Sequence, residues 1–234
     1  MKKNLLLAST STVHGSGYLN YLKEELLQHF EKVNEILFIP FARPGGISHN
    51  SYTEKTIEFF NSIGKSVRGL HEFENKPQAV EKAKGIFTGG GNTFVLLSQL
   101  YHHDLMQTLM DVLNNGTPYL GTSAGTNICG QTIGTTNDMP IEYPPSFDAL
   151  ALVPFNINPH YLDPDPKSTH MGETREVRIT EFHKFNDHPV IGLREGSYLH
   201  VEGDRIFVKG PHTCRIFKAN QTPFEHPTNQ LLKL

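Results

Sequence analysis

Long apolar runs, a dominant charge of either sign, and clustered metal ligands are all missing from this 234-residue chain. No apolar stretch approaches the roughly 20 residues that span a bilayer, so no transmembrane helix is expected. The first apolar run, Leu5-Leu6-Leu7-Ala8, is shorter than the ~7–15 residues of a signal-peptide core. It reads as a first strand, and the protein as cytoplasmic. Lysine plus arginine number 21 and aspartate plus glutamate 24, for a net charge of -3. That balance points to neither nucleic acid nor an anionic membrane as partner. The two cysteines, Cys129 and Cys214, are far apart and suggest no disulfide framework. Cys129 reads as a small buried residue rather than a reactive thiol. The 13 histidines are scattered without His-x-x-x-His spacing, and Cys-x-x-Cys is absent, so no metal site is expected. His102 and His103 are adjacent and would point in different directions on a helix. Repeats, low-complexity tracts and linkers are missing too. Residues 1–234 therefore read as one domain of ordinary globular composition, 37% hydrophobic and 19% charged.

What is present is alternation of strand and helix patterns through the first half. Buried strands are expected at Leu5–Ala8, Ile36–Phe41, Val67–Leu70, Ile86–Thr88 and Tyr119–Leu120. Gly17–Phe30 carries Leu19, Leu22, Leu26, Leu27 and Phe30 at helical spacing. Ser51-x-x-Glu54 reads as a capping box opening a helix that runs through Ile63 and closes at Gly64. Pro77 and Gly85 bracket a short helix, and two more are expected from about Asn92 to Leu100 and from about Asp104 to Leu113. Such alternation argues for an α/β fold, a parallel sheet with helices on both faces and ligand sites at the carboxyl ends of its strands. The second half is less regular: 135–172 reads as long loops with short strands, Val190–Leu193 as a strand, and Tyr198–Val208 as a hairpin.

Gly121-Thr122-Ser123-Ala124-Gly125 stands where an apolar run meets a small-residue helical segment. Gly-x-Ser-x-Gly suits a sharp strand-to-helix turn that exposes a serine hydroxyl, with Gly121 and Gly125 relieving clashes and the Ala124 amide free to donate to an oxyanion. His160, after Asn158-Pro159, is the candidate base; its bland alternative is a loop histidine packed on Tyr161. Two carboxylates compete to orient it: Glu195, at the end of the Val190–Leu193 strand, and Asp138 in Thr135-Thr136-Asn137-Asp138. Gly89-Gly90-Gly91-Asn92-Thr93 lacks the Gly-Lys-Ser/Thr of a phosphate loop, and its amides suit the second half of an oxyanion hole. Arg175 and Arg178 lie one turn apart near a probable helix start. They suit either carboxylate binding or a solvated face with Glu-Arg pairs.

These pieces in this order resemble peptidase E, the α-aspartyl dipeptidase family of serine peptidases. The carriers include Ile39–Ala42, Gly89–Phe94, Gly121–Gly125, Thr135–Pro140, Phe147–Leu150, Ile157–His160, Gly172–Glu176 and Gly192–Gly196. The resemblance implies a three-layer parallel-sheet sandwich similar to class I glutamine amidotransferases, with Ser-His-Glu in chain order. It implies Ser123 as nucleophile, His160 as base, Glu195 as orienting acid and Asp138 as a polar residue tied to the site. Gly90 or Gly91 and Ala124 would hold the oxyanion. Arg175, Asn92 and Glu173 would touch a small Asp-Xaa peptide, no cofactor would be needed, and the protein would be a monomer or homodimer. The Leu162–Met171 loop would close over the substrate. Thr122 departs from bacterial members, which often carry tryptophan there, and this bears on subsite preference. An isoaspartyl or cyanophycin-type peptidase, or a non-catalytic binding module for acidic peptides, are the alternatives.

Overall fold

The structure, a computed structural model, describes residues 2–165, 167, 169 and 171–234. In chain order the strands are β1 (Asn4–Ala8), β2 (Glu35–Ile39), β3 (Ser66–Gly69), β4 (Ile86–Thr88), β5 (Tyr119–Thr122), β6 (Asn156–Pro159), β7 (Val190–Leu193), β8 (Tyr198–Glu202), β9 (Arg205–Lys209), β10 (Cys214–Phe217) and β11 (Phe224–His226). The helices are α1 (Lys23–His29), α2 (His49–Asn61), α3 (Lys76–Lys82), α4 (Thr93–His102), α5 (Met106–Asn114), α6 (Ala124–Asn127) and α7 (Arg175–Phe182).

Seven strands form the main sheet in the order β3-β2-β4-β5-β1-β8-β9. β1 to β5 are parallel, and the β8–β9 hairpin continues the sheet antiparallel beside β1. Side chains alternate across β1 and seed two cores. Leu5 and Leu7 join Leu96, Leu100 and Leu109 of α4 and α5, whereas Leu6 and Ala8 join Leu26 of α1 and Phe59 and Phe60 of α2. Burial on both faces is why β1 and β2 carry continuous apolar runs instead of alternation. Each fully buried leucine contributes roughly 1.5–3 kcal/mol relative to exposure.

A second sheet, ordered β11-β10-β7-β6, comes from the half read as irregular. β6 and β7 are parallel, while β10 and β11 are antiparallel. Ile157 and Ile191 of this sheet pack into the same core as Leu5 and Leu7.

Two helix starts differ from expectation. Leu19 holds a left-handed φ of 57°, so the Gly17–Phe30 pattern opens with a 3-10 turn at Asn20–Leu22 and becomes α-helical only at Lys23. The Ser51–Glu54 capping box is not formed. α2 begins at His49 under Ser48, whose hydroxyl accepts the Ser51 amide at 3.1 Å. Ser51 thus receives the cap, because the chain turns helical three residues earlier than the box pattern implied.

Candidate active site

β5 ends in the centre of the sheet, and the chain turns at Ser123 with φ 53° and ψ -110° before entering α6. A non-glycine residue at positive φ costs of order 1–3 kcal/mol, so surrounding contacts must hold it. They are present. The Ser123 amide donates to Ala8 O at 3.1 Å, and Thr126 Oγ1 lies 2.7 Å from Ala8 O and 2.8 Å from Gly121 O, with its one proton to give to either. A Cβ on Gly121 would collide with Gly125 O, and one on Gly125 with Thr88 O. Only glycine lets the strand, turn and helix approach so closely.

His160 follows β6, also at φ 53°. Its Nε2 lies 2.9 Å from Ser123 Oγ, and its Nδ1 lies 2.6 Å from Glu195 Oε1. Glu195 follows β7, which pairs in parallel with β6, so the parallel register places the two side chains at one sheet edge. The pair is open to solvent, with 38% of the His160 side chain and 47% of the Glu195 side chain exposed. Of the two competing carboxylates, Glu195 therefore meets the histidine. Asp138 Oδ2 instead accepts the Thr93 amide and Thr93 Oγ1, each at 2.7 Å, and Thr136 Oγ1 at 3.1 Å. Its loop is held to β6 by Asn137 Nδ2 donating to Pro159 O at 2.7 Å and by Asn158 Nδ2 donating to Thr135 O at 2.8 Å.

Gly90 packs its α-carbon against Ser123, where an added Cβ would stand 2.9 Å from the serine Cβ. Arg43 Nε and Tyr52 Oη donate to Gly90 O at 3.0 and 3.2 Å, fixing that peptide. Among the described residues no hydrogen bond uses the amides of Gly90, Gly91 or Ala124. They remain available to an oxygen beside Ser123. Asn92 is committed elsewhere: it caps α4 by accepting the Val95 amide at 3.1 Å and donates to Met139 O at 2.9 Å. Thr93, not Asn92, lines the small crevice at Ser123, together with Asp138, Asn127 and His160.

Arg175 is the first residue of α7, whose N-cap Thr174 accepts the Val177 amide. Among the described residues no carboxylate lies within ion-pair distance of it, whereas Arg178 meets Glu173 at 3.8 Å. Burial and the Arg178 charge pull the Arg175 guanidinium below its ordinary value, and Asp138 opposes them. Arg175 and Glu173 line a cavity of about 440 Å³ with Asp163 and Asp165. Pro166, Ser168 and His170 of the Leu162–Met171 loop lie outside the described residues.

Two supporting residues went unnoticed in the sequence. Arg194, beside Glu195 in the chain, grips Asp163 at 2.7 and 2.8 Å, Glu225 at 2.9 Å through two nitrogens, and Thr213 O at 2.8 Å. Its hydrogen bonds hold the Glu225 carboxyl down to about 2. Ser9, fully buried after β1, has its hydroxyl between His160 N and Leu193 O, 2.8 Å from each. Its signal was position alone, a small polar residue at the carboxyl end of a central strand.

An open α/β sheet whose central strand ends in a strained, histidine-bonded serine is the layout of a serine hydrolase. The profile of peptidase family S51 matches residues 5–209, and the chain belongs to that family. A Drosophila melanogaster protein named "Probable alpha-aspartyl dipeptidase" is 47% identical over 221 residues, 93% of this chain and 91% of its own length. A Streptomyces coelicolor "Peptidase E" is 47% identical over 222 residues, 95% and 90% of the two chains. The crystal structure of a peptidase from an acI-B1 Actinobacterium shares the fold with a TM-score of 0.74 at 15% identity, covering 100% of this chain and 98% of that one. No helix among the described residues is long and apolar enough to cross a membrane.

Proposed function

We propose that this protein is a serine exopeptidase that hydrolyses dipeptides with an N-terminal aspartate. The observation that carries the proposal is the continuous hydrogen-bonded run from Ser123 through His160 to Glu195, at 2.9 and 2.6 Å. The relatives named as α-aspartyl dipeptidase and peptidase E support the substrate class.

In this mechanism His160 Nε2 takes the Ser123 proton as Oγ attacks the aspartyl carbonyl. The oxyanion is held by the amides of Ala124 and of Gly90 or Gly91. Glu195 keeps the imidazole in the needed tautomer and stabilises the imidazolium. His160 then gives its proton to the leaving amine, and water, deprotonated by the same histidine, releases aspartate from Ser123. Arg175 binds the aspartyl side-chain carboxylate, because it is half-buried and has no carboxylate partner among the described residues. Asp138 receives the substrate ammonium: it lines the Ser123 crevice and its Oδ1 accepts no hydrogen bond among the described residues. Glu173 is the weaker candidate, being exposed and paired with Arg178.

The proposal takes 1–234 as one domain, supported by the core shared between the two sheets. It places the protein in the cytoplasm, which suits two buried, unpaired cysteines. Hydrolysis of Asp-Leu, Glu-Leu, Ala-Leu, β-Asp-Leu and acetyl-Asp-Leu, with EDTA present, tests it. Cleavage of Asp-Leu alone is expected. Preference for β-Asp-Leu would move the substrate to isopeptides, and cleavage of acetyl-Asp-Leu would remove the free-amine requirement.

A further inference from the structure

We propose that Ser9 is a positioning residue for the reaction, its single hydroxyl locking the base and the orienting acid onto the strand that holds the nucleophile. The inference rests on the reading of Ser123, His160 and Glu195 as the reacting groups.

The three groups straddle two sheets. Ser123 follows β5 of the main sheet, whereas His160 and Glu195 follow β6 and β7 of the second. Their relative placement therefore depends on what joins the sheets at that edge. Asn127 of α6 does so by donating to Ile157 O at 2.8 Å, and the segment that reaches His160 itself is Ala8-Ser9, at the end of β1. Ala8 O accepts the Ser123 amide at 3.1 Å. One residue on, Ser9 Oγ accepts the His160 amide at 2.8 Å and donates to Leu193 O at 2.8 Å. The Ser9 amide donates to Ser197 O at 3.1 Å, beyond Glu195. One dipeptide thus holds the backbone at Ser123 and His160 and two residues to either side of Glu195.

The chemistry of the position calls for a hydroxyl. A group lodged between an N–H and a C=O must accept from one and donate to the other, and at 0% exposure it is shielded from bulk water. The two partners differ in what they lose without it. Leu193 O keeps the Tyr161 amide at 3.1 Å. The His160 amide has no other acceptor among the described residues, and its φ of 53° makes the backbone there ready to relax. Rotation at that residue swings the imidazole away from Ser123, and misplacement by about 1 Å costs on the order of 10²-fold in rate.

The test compares Ser9→Ala and Ser9→Thr with wild type in Asp-Leu hydrolysis, each rate normalised to the Ser123 fraction labelled by a fluorophosphonate probe. Ser9→Ala is expected to lower kcat by about 10- to 100-fold with KM within about twofold, and to slow labelling in parallel. Ser9→Thr, which keeps the hydroxyl, is expected to recover most of the rate. A normalised kcat within about threefold of wild type for Ser9→Ala, or a loss carried by KM, overturns the proposal. So does a folded Ser9→Thr as slow as Ser9→Ala. If Ser9→Ala does not fold, Ser9→Cys, closest in volume, decides: its longer, weaker bonds should lower kcat at least about fivefold, and an unchanged kcat overturns the proposal. If wild type is labelled at Ser123 but cleaves no Asp-Leu, the substrate assignment fails, and the labelling rates alone judge Ser9: slower in Ser9→Ala supports its role, equal overturns it.

Discussion

Ser123 and His160 meet Oγ to Nε2 at 2.9 Å, and both hold a φ of 53°. Each leaves a buried strand through a conformation that side chains disfavour, and each is held there by a bond from the β1 end, Ala8 O to the serine amide and Ser9 Oγ to the histidine amide. The strain sits on the two residues whose side chains meet, and these bonds from the β1 end hold it in place.

Replacing Ser123 separates strain from chemistry. Ser123→Ala should lower Asp-Leu turnover by about 10³-fold or more and leave the fold intact. Ser123→Gly should be as inactive, yet more stable than Ser123→Ala by about 1 kcal/mol in urea unfolding, because glycine accepts positive φ without penalty. Turnover above a hundredth of wild type in either variant would remove Ser123 as nucleophile.

Glu195→Gln should lower kcat by about 10- to 100-fold, less than the ~10⁴-fold seen for a buried triad carboxylate. The reason is exposure: with 47% of the Glu195 side chain open to solvent, water already stabilises part of the imidazolium charge. Asp138→Asn, by contrast, should act on KM for Asp-Leu, since its Oδ2 is occupied by Thr93 and Thr136 instead of the histidine. If Asp138→Asn abolished kcat and Glu195→Gln did not, the two carboxylates would exchange roles.

Arg175→Ala should lower kcat/KM for Asp-Leu by about 10²-fold, the loss of a charge-assisted pair in a partly buried site. Whatever residual Ala-Leu cleavage the enzyme shows should change little. Equal loss on both substrates would take Arg175 out of the specificity pocket.

Acid should destabilise the protein through His29. Its Nε2 lies 3.1 Å from Tyr119 O, and burial, with a smaller push from His200, lowers its value from 6.5 to about 3. A depressed histidine keeps the folded state from binding a proton that the unfolded chain takes up below 6.5. The penalty is absent above that pH, grows as pH falls, and levels off below about 3. At pH 4 it amounts to about 3 kcal/mol. His29→Gln keeps a donor for Tyr119 O and should flatten the loss of stability between pH 6.5 and 4 in urea titrations.

Local pattern carried far into this fold. β1, β2, β4 and β5 were visible as apolar runs because both faces of a central parallel strand are buried. The Ser123 turn was visible because Gly121 and Gly125 occupy positions that would otherwise clash. Helix starts were less legible. Ser48 rather than Ser51 caps α2, since several small polar residues in a row offer equivalent caps and only packing selects one. The second sheet was largely hidden, because its strands are short and all four lie beyond the strand-helix alternation that organises the first half.

The α/β class and the serine turn were legible without the fold, because each depends on neighbours close along the chain. Local pattern left two carboxylates level beside His160, the family resemblance favoured Glu195, and the tertiary structure shows the contact. Asp138 and Glu195 both sit in polar turns, and only the parallel pairing of β6 with β7 brings Glu195 to Nδ1 while Thr93 and Thr136 draw Asp138 away. Ser9 was undecidable for the same reason. Its partners are 151 and 184 residues distant, and a hydroxyl placed between them acquires its role only when the two sheets close on one another.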